Sequence, residues 1–490
     1  MSDFDVCVIG AGPAGFAAAM RCYDFGKKVL IVDKGPLGGT GVHNGALSSK
    51  TLWELSKDYR KTLVRDRGFI AHQVTLDFGE VMNCVDQALD EKVGQLRYQL
   101  QELSCPRQDN PGCLTHLHGA ARFLDPKRIV IEGGPHGDRI VSATSFIIAT
   151  GSKPRTTADW PIDGRRVMTS DHVSGFKRFP RSLVVVGAGV VGCEFATIFA
   201  NFGQTKVYLV DRAERILPFE DEDISRVCSR NLEKKGVTIH HRAGLVSLEV
   251  EGDEVVYTIE HHTGGRETIR VDHALISIGR VPNTDGLDLD KAGVKMGPRG
   301  HILDEDTRTS APHIHAVGDV TQDMALVSVG EMEGRLAAEQ ICADSTEKLS
   351  FENISSIYFL DPIVAGCGMS EQEAQKRRIP YRVAVYGYEL VNRAIAMRAT
   401  SGFVKLLVTD DDTMQILGMR ALGVHASTTI AEVSLVMRHG RSVRDIAELL
   451  HPHPAITEGV QDCVRMLLGS SIYKPQVFKN ALRLSRVTYA

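Results

Sequence analysis

The chain has 490 residues, 43% of them hydrophobic and 24% charged, and its formal net charge is −4. A chain this long outgrows a single hydrophobic core and predicts about three or four domains of ordinary globular composition. The near-neutral charge excludes the concentrated basic surface of a nucleic-acid binder, and no apolar run reaches the roughly 18 residues of a transmembrane segment.

Small-molecule chemistry is therefore the expectation. Asp3 and Asp5 stand just ahead of the first strand pattern and leave no room for a signal or transit peptide, which predicts a cytoplasmic protein. Ten cysteines at irregular spacings, without a CxxC pair, predict reduced thiols, and no metal ligand set is expected. Cys7 and Cys193 fall inside apolar patterns and are expected in the core.

The first predicted elements form a βαβ unit. Residues 5–15 read DVCVIGAGPAG, a short apolar run of the kind that forms a buried parallel strand, then a glycine-rich turn and an alanine-rich helical stretch. Gly10, Gly12 and Gly15 have the spacing that permits a tight turn, lets the backbone approach a pyrophosphate and packs helix close to strand. The helix N-terminus then presents its free N–H groups to the diphosphate. A second strand, Lys28 to Asp33, ends in an acid 23 residues after Gly10, placed to accept hydrogen bonds from a ribose. A lone glycine fingerprint is weak; the strand before it, the helix after it and the acid at this distance make it specific.

A largely helical stretch is predicted from about Leu55 to Leu103, followed by a polar segment from Cys105 to Cys113 and a strand from Ser145 to Ala149 ahead of Thr150-Gly151. From Ser182 the opening pattern returns as SLVVVGAGVVG, about 177 residues downstream, with Gly187, Gly189 and Gly192 as its glycines and Asp211 ending KVYLVD. An acid there favours NAD by repelling the 2′-phosphate of NADP, whereas Arg212 and Arg215 just after it offset that repulsion, so both nucleotides stand. Strands are predicted at Ala274 to Ile278, before Gly279-Arg280, and at Ile314 to Val317, before Gly318-Asp319. From about Ser350 short strands and helices follow without a third fingerprint, which predicts a separate C-terminal domain.

Taken in order, GAGPAG, GGTGVHNGALSSK, ATGSKP, VVGAGVVGCE, GRVPNT, AVGD and HPHPAITE resemble the FAD-dependent pyridine nucleotide-disulfide oxidoreductases over nearly the whole chain. The resemblance implies an α/β fold with two Rossmann-like dinucleotide-binding domains, for FAD and NAD(P), plus an α+β C-terminal dimerisation domain of a homodimer. It implies FAD binding by residues 1–155 and 276–349, NAD(P) binding by 156–275, dimerisation through 350–470 and a basic tail at 471–490. Around FAD it implies Gly39, Thr40, Lys50, Gly151, Asp319 and Ala325 beside the first fingerprint and Asp33; around the nicotinamide nucleotide it implies Gly279 beside the second fingerprint and Asp211. The tail, with Lys474, Lys479, Arg483 and Arg486, is read either as a solvated or subunit-packing segment or as an amphipathic contact with a partner or anionic surface.

The family pattern places two cysteines in the loop after the first acid, with four residues between them. Here those positions hold Gly41 and Ala46, so the resemblance implies a missing redox disulfide and a thiol relay that cannot run through this loop. Lys50 and Glu194 match the pair that the family sets beside the flavin N5; the alternative for Lys50 is a solvated helix lysine. His453 and Glu458 match the catalytic dyad, in which the carboxylate orients an imidazole that takes a proton from a thiol. Without that thiol, His453 either protonates another acceptor or is a structural residue beside a cis His453-Pro454 bond; His451 is the weaker candidate. His43 stands where soluble transhydrogenases carry a histidine. The expected function is a FAD-dependent NAD(P)H oxidoreductase handing electrons to a small-molecule acceptor other than a disulfide, another pyridine nucleotide or a quinone. Two alternatives stand: a dihydrolipoyl dehydrogenase-like enzyme acting on an unusual thiol, and a redox-sensing flavoprotein without turnover.

Overall fold

A computed structural model of the chain describes residues 2–64, 68, 70, 72–135 and 137–489. These divide into two compact units, one of Met1–Pro180, Leu248–Val256 and Val271–Leu349, the other of Arg181–Ser247, Tyr257–Arg270 and Ser350–Ala490.

The first unit is built on a nine-stranded sheet. Its middle is parallel, in the order Cys113–His118, Lys28–Asp33, Phe4–Ile9, Arg139–Ile148 and Ile314–Ala316. Val6 to Ile9 and Val29 to Val32 are buried without alternation, as strands covered on both faces must be. The two run in register, Val6 against Val29 and Ile9 against Val32, and each feeds the same edge of the sheet. A hairpin, Ala120–Asp125 with Arg128–Glu132, extends the sheet from Arg139–Ile148. Helices Pro13–Asp24 and Val327–Ala343 pack together so closely that a Cβ on Gly334 would collide with the carbonyl of Ala14. Among the described residues no helix is long and apolar enough to cross a membrane.

The predicted helical stretch from Leu55 to Leu103 is two helices. Ala46–Thr62 begins inside the loop that follows the first fingerprint, and Phe78–Glu102 starts afresh after the Asp77 side chain accepts the Glu80 N–H at 3.1 Å. Leu63, Val64 and residues 72–77 are not helical. The strand predicted at Ser145 to Ala149 starts earlier, at Arg139, because its first half pairs with Arg128–Glu132 rather than with the apolar centre.

In the second unit the parallel strands Thr238–His240, Lys206–Val210 and Ser182–Val186 carry the repeated fingerprint. Helix Val190–Phe202 follows, with every residue from Gly192 to Phe202 buried. The C-terminal part is a six-stranded antiparallel sheet in the order Ser355–Tyr358, Val364–Gly368, Ile416–Leu422, Phe403–Thr409, Tyr381–Gly387 and Leu482–Val487. Helices Ile430–Arg438 and Glu458–Leu467 contribute to its core through Ile430, Val433, Val460 and Val464. The basic tail ends in a strand, which the sequence reading did not include. Leu482–Val487 pairs with Tyr381–Gly387, and the exposed Arg483 and Arg486 bond Asp223 and Glu371, and Asp410, respectively. Lys474 donates to the Ser471 carbonyl, and Lys479 is exposed.

Candidate functional site

The first fingerprint forms a cradle. Gly10 has φ of +112°, and its N–H donates to the Val32 carbonyl at 2.7 Å, closing the turn over the neighbouring strand. A Cβ on Gly15 would collide with the Gly10 carbonyl, so only glycine brings the helix this close. A Cβ on Gly12 would meet nothing within 4 Å, which leaves open space over the start of Pro13–Asp24, where free N–H groups point. Pro13 at the first helical position has no N–H to leave unpaired. Asp33 fastens the turn from the side: Oδ2 accepts the Ala11 N–H at 2.6 Å and Oδ1 the Gly35 N–H at 2.8 Å. Each oxygen keeps a lone pair for a ribose hydroxyl.

Beside Asp33 opens a cavity of about 780 Å³, lined by Lys34, Gly35, Leu37, Leu100, Leu114, His116 and His118 among others. Burial lowers the pKa of His116, so its ring is neutral at physiological pH. The sequence carried no sign of this cavity, because its walls come from strand Cys113–His118 and helix Phe78–Glu102, neither of which holds a motif. An open glycine turn, free helix N–H groups, a carboxylate with spare lone pairs and an adjoining half-apolar cavity fit a flavin dinucleotide.

On the same unit Gly318, with φ of +74°, turns the chain after strand Ile314–Ala316. Asp319 Oδ2 accepts the Ser152 hydroxyl at 2.7 Å, and Ser152 Oγ in turn accepts Arg280 Nε at 2.7 Å. The Gly318 N–H donates to Glu333 Oε2 at 2.5 Å, while the buried Oε1 has no partner among the described residues. Burial pushes the Glu333 carboxyl up to about 8. Ser152, Arg280 and Glu333 escaped the sequence reading, since each works through a neighbour that the motifs do name. Gly151 and Gly279, with φ of +67° and +107°, flank the short paired strands Ser152–Pro154 and Arg280–Pro282. Ala325 is exposed in the loop before Val327–Ala343.

The loop after Asp33 packs onto the cradle. Gly38 and Gly39 have positive φ, and a Cβ on Gly39 would lie 3.1 Å from Gly12 Cα. Thr40 and Gly41 sit in the single turn Gly39–Val42, and His43 bonds the Leu37 carbonyl at 3.0 Å. A Cβ on Gly41 would stand 2.5 Å from Pro13 Cγ, so a side chain there requires the Pro13 ring to shift. Lys50 lies in helix Ala46–Thr62, half-buried, with Nζ donating to Ser49 Oγ at 3.2 Å.

In the second unit the cradle repeats bond for bond. Gly187 has φ of +103°, Gly189 precedes helix Val190–Phe202 with open space at its Cβ, and Gly192 is buried in the first turn. Asp211 accepts the Ala188 N–H at 2.6 Å and the Ala213 N–H at 2.7 Å. The two arginines that followed it in sequence part company. Arg215 pairs with Glu222 at 2.9 Å and donates to the Pro218 and Glu220 carbonyls, whereas Arg212 lines a cavity of about 390 Å³ with Arg242, His261 and His262. Glu194 is buried and accepts the Phe359 N–H at 2.9 Å.

Farther along this unit His453 Nδ1 meets Glu458 Oε1 at 2.8 Å, and Glu458 Oε2 accepts the Ala455 N–H at 2.7 Å. The ring is 62% exposed, which leaves Nε2 accessible, and the His453-Pro454 bond is cis. His451 forms a second pair, Nε2 to Glu432 Oε2 at 2.9 Å, but is buried. Burial raises the Glu432 carboxyl, against the pull of His451. Glu432 has no local motif and comes from helix Ile430–Arg438.

The chain matches the family model of pyridine nucleotide-disulphide oxidoreductases over residues 4–334 and that of their dimerisation domain over 354–464. It is 33% identical over 473 residues to the dihydrolipoyl dehydrogenase of Geobacillus stearothermophilus, covering 96% of this chain and 97% of the relative. It is 31% identical over 478 residues to the mitochondrial dihydrolipoyl dehydrogenase of Schizosaccharomyces pombe, covering 96% and 91%. Among solved structures, LpdA of Mycobacterium tuberculosis superposes with a TM-score of 0.85 at 25% identity, covering 94% of this chain and 99% of that one. The HOCl-induced flavoprotein disulfide reductase RclA of Escherichia coli has the same fold, with a TM-score of 0.82 at 24% identity over 94% of this chain and 100% of its own. Proteins of this kind are FAD-dependent and use NAD(P)H, in keeping with the two cradles. By its fold, its paired dinucleotide cradles and its match along almost the whole length, the chain belongs to the pyridine nucleotide-disulphide oxidoreductase family.

Proposed function

We propose that the protein is a homodimeric, cytoplasmic oxidoreductase that takes electrons from NAD(P)H and hands them to an acceptor other than a disulfide of its own, another pyridine nucleotide or a quinone. The observation that carries this reading is the loop at Gly41 and Ala46, where no thiol is present and Pro13 fills the space beside residue 41. Bound FAD supplies two-electron chemistry between the two substrates. Gly10, Gly12 and Gly15 admit its diphosphate, Asp33 takes its ribose hydroxyls, and Asp319, held by Ser152, holds the chain at the ribityl end. Lys50 provides positive charge at the flavin. Asp211 receives the nicotinamide nucleotide's ribose and favours NAD, while Arg212 is the cation available to a 2′-phosphate. Glu458 orients His453 so that Nε2 can give or take a proton at the acceptor.

A second reading has its own support. The intact His453–Glu458 pair, and relatives that are dihydrolipoyl dehydrogenases, favour a thiol substrate whose proton His453 removes. Anaerobic mixing of the FAD-loaded protein with NADH is expected to bleach the flavin band; an unbleached band would leave only a binding protein. A thio-analogue of NADP and a quinone, added separately, should then restore the band. Failure of both, with turnover of dihydrolipoamide, would replace the first reading by the second.

A further inference from the structure

We propose that His240, His261 and Glu267 form a binding site for a borderline divalent transition ion, zinc(II) being the ion their chemistry fits. His240 ends strand Thr238–His240, His261 ends strand Glu254–His261, and Glu267 lies on Arg266–Val271, across the turn where the His261 N–H donates to the Gly265 carbonyl. One ligand atom from each lies within 4.8 Å of the other two. Glu267 Oε2 is 3.7 Å from His261 Nε2 and 4.0 Å from His240 Nδ1.

Those separations are too long for hydrogen bonds, which end near 3.2 Å for N–H···O. They come close to the span across a single ion: two ligands about 2.1 Å from a tetrahedral zinc stand about 3.4 Å apart. The remaining closure falls to the movable partners, because the Glu267 side chain is 50% exposed and that of His261 is 32% exposed. His240 is the fixed member. Its side chain is nine-tenths buried, and Tyr208 stacks on its ring with centroids 6.2 Å apart. Its Nδ1 is the nitrogen that faces Glu267, and its Nε2, on the other side of the ring, is buried without a hydrogen-bond partner among the described residues. Two imidazoles and one carboxylate suit zinc, copper or nickel and not magnesium or calcium, which take oxygen ligands. Three protein ligands leave a further position for water, as in open zinc sites. The site contains no cysteine and neither member of the His453–Glu458 pair, and it does not depend on which acceptor the enzyme uses.

The FAD-loaded protein should be titrated with zinc chloride by calorimetry, and with cobalt(II) while the visible difference spectrum is followed. The wild type is expected to bind an equivalent that Glu267→Gln and His261→Ala hold at least about tenfold more weakly. Zinc should also raise the thermal midpoint of the wild type and leave that of Glu267→Gln in place. Exposed Cys84 and Cys105 compete for the same ion, so Cys84→Ser/Cys105→Ser is expected to keep this equivalent. Loss of it in the cysteine variant, or equal affinity in wild type and Glu267→Gln, would overturn the proposal, as would absence of binding in the wild type. If His261→Ala does not fold, Glu267→Gln decides alone, since it keeps the shape of a half-exposed side chain.

Discussion

At His453 a single carboxylate sets what an imidazole can do. Glu458 holds Nδ1, so under the proposed function the exposed Nε2 is the position at which a proton enters or leaves. His453→Gln is therefore expected to leave bleaching of the flavin by NADH unchanged and to slow acceptor reduction by a factor on the order of 10²–10⁴. Stopped-flow rates for the two half-reactions check this, and unchanged acceptor reduction would make the histidine structural. Lys405 presents the opposite case, a charge whose task is burial. Its side chain is fully buried and its Nζ bonds Asp221 at 2.8 Å, Asp223 at 2.9 Å and Glu371 at 2.6 Å. Lys405→Met leaves these carboxylates facing one another without that cation, and a loss of about 3–5 kcal/mol is expected in denaturant melts. His453 was readable because it sits in a motif with its partner five residues away; Lys405 was not, because its partners lie 34 to 184 residues away and Phe403–Thr409 reads as an ordinary strand.

At the scale of elements, the turn at Gly318 and the helix Val327–Ala343 are tied by Glu333. Its folded pKa, about 8, stands above the ordinary 4.5, so the folded chain keeps a proton that the unfolded chain has released. The stability this gives is fully present below the ordinary pKa and is lost as pH rises through the folded one. Between pH 5 and pH 8.5 the wild type should lose stability relative to Glu333→Gln by on the order of 2–4 kcal/mol. Thermal melts of the FAD-loaded proteins across that range test it; parallel curves would remove the carboxyl from the account. Element boundaries followed a similar logic. Lys28–Asp33 was legible to the residue because an unbroken apolar run ends at the acid. The break between Ala46–Thr62 and Phe78–Glu102 was missed although Asp77 and Glu80 form a legible helix start, since apolar periodicity on either side masked it.

For the whole molecule, the C-terminal strand is the feature the sequence concealed most. Removing residues 482–490 would bare the edge of Tyr381–Gly387 and leave Asp223, Glu371 and Asp410 without Arg483 and Arg486. A thermal midpoint lower by about 5 °C and concentration-dependent aggregation are expected, read by calorimetry and light scattering. An unchanged midpoint would mean the strand adds little. The sequence by itself pointed to the family and displayed both glycine fingerprints, the acids Asp33 and Asp211 that end their second strands, glycine and alanine at 41 and 46, and His453 five residues before Glu458. All of these are local patterns, in which the chemistry requires a residue type at a spacing of a few tens of positions at most. Tertiary structure alone decided the rest: the cavity beside Asp33, the Ser152–Asp319 clasp, the buried Lys405 cluster, the parting of Arg212 from Arg215, and the three strands that bring His240, His261 and Glu267 together. Their partners are distant in sequence, and strand register and helix packing, which no short pattern encodes, bring them within reach.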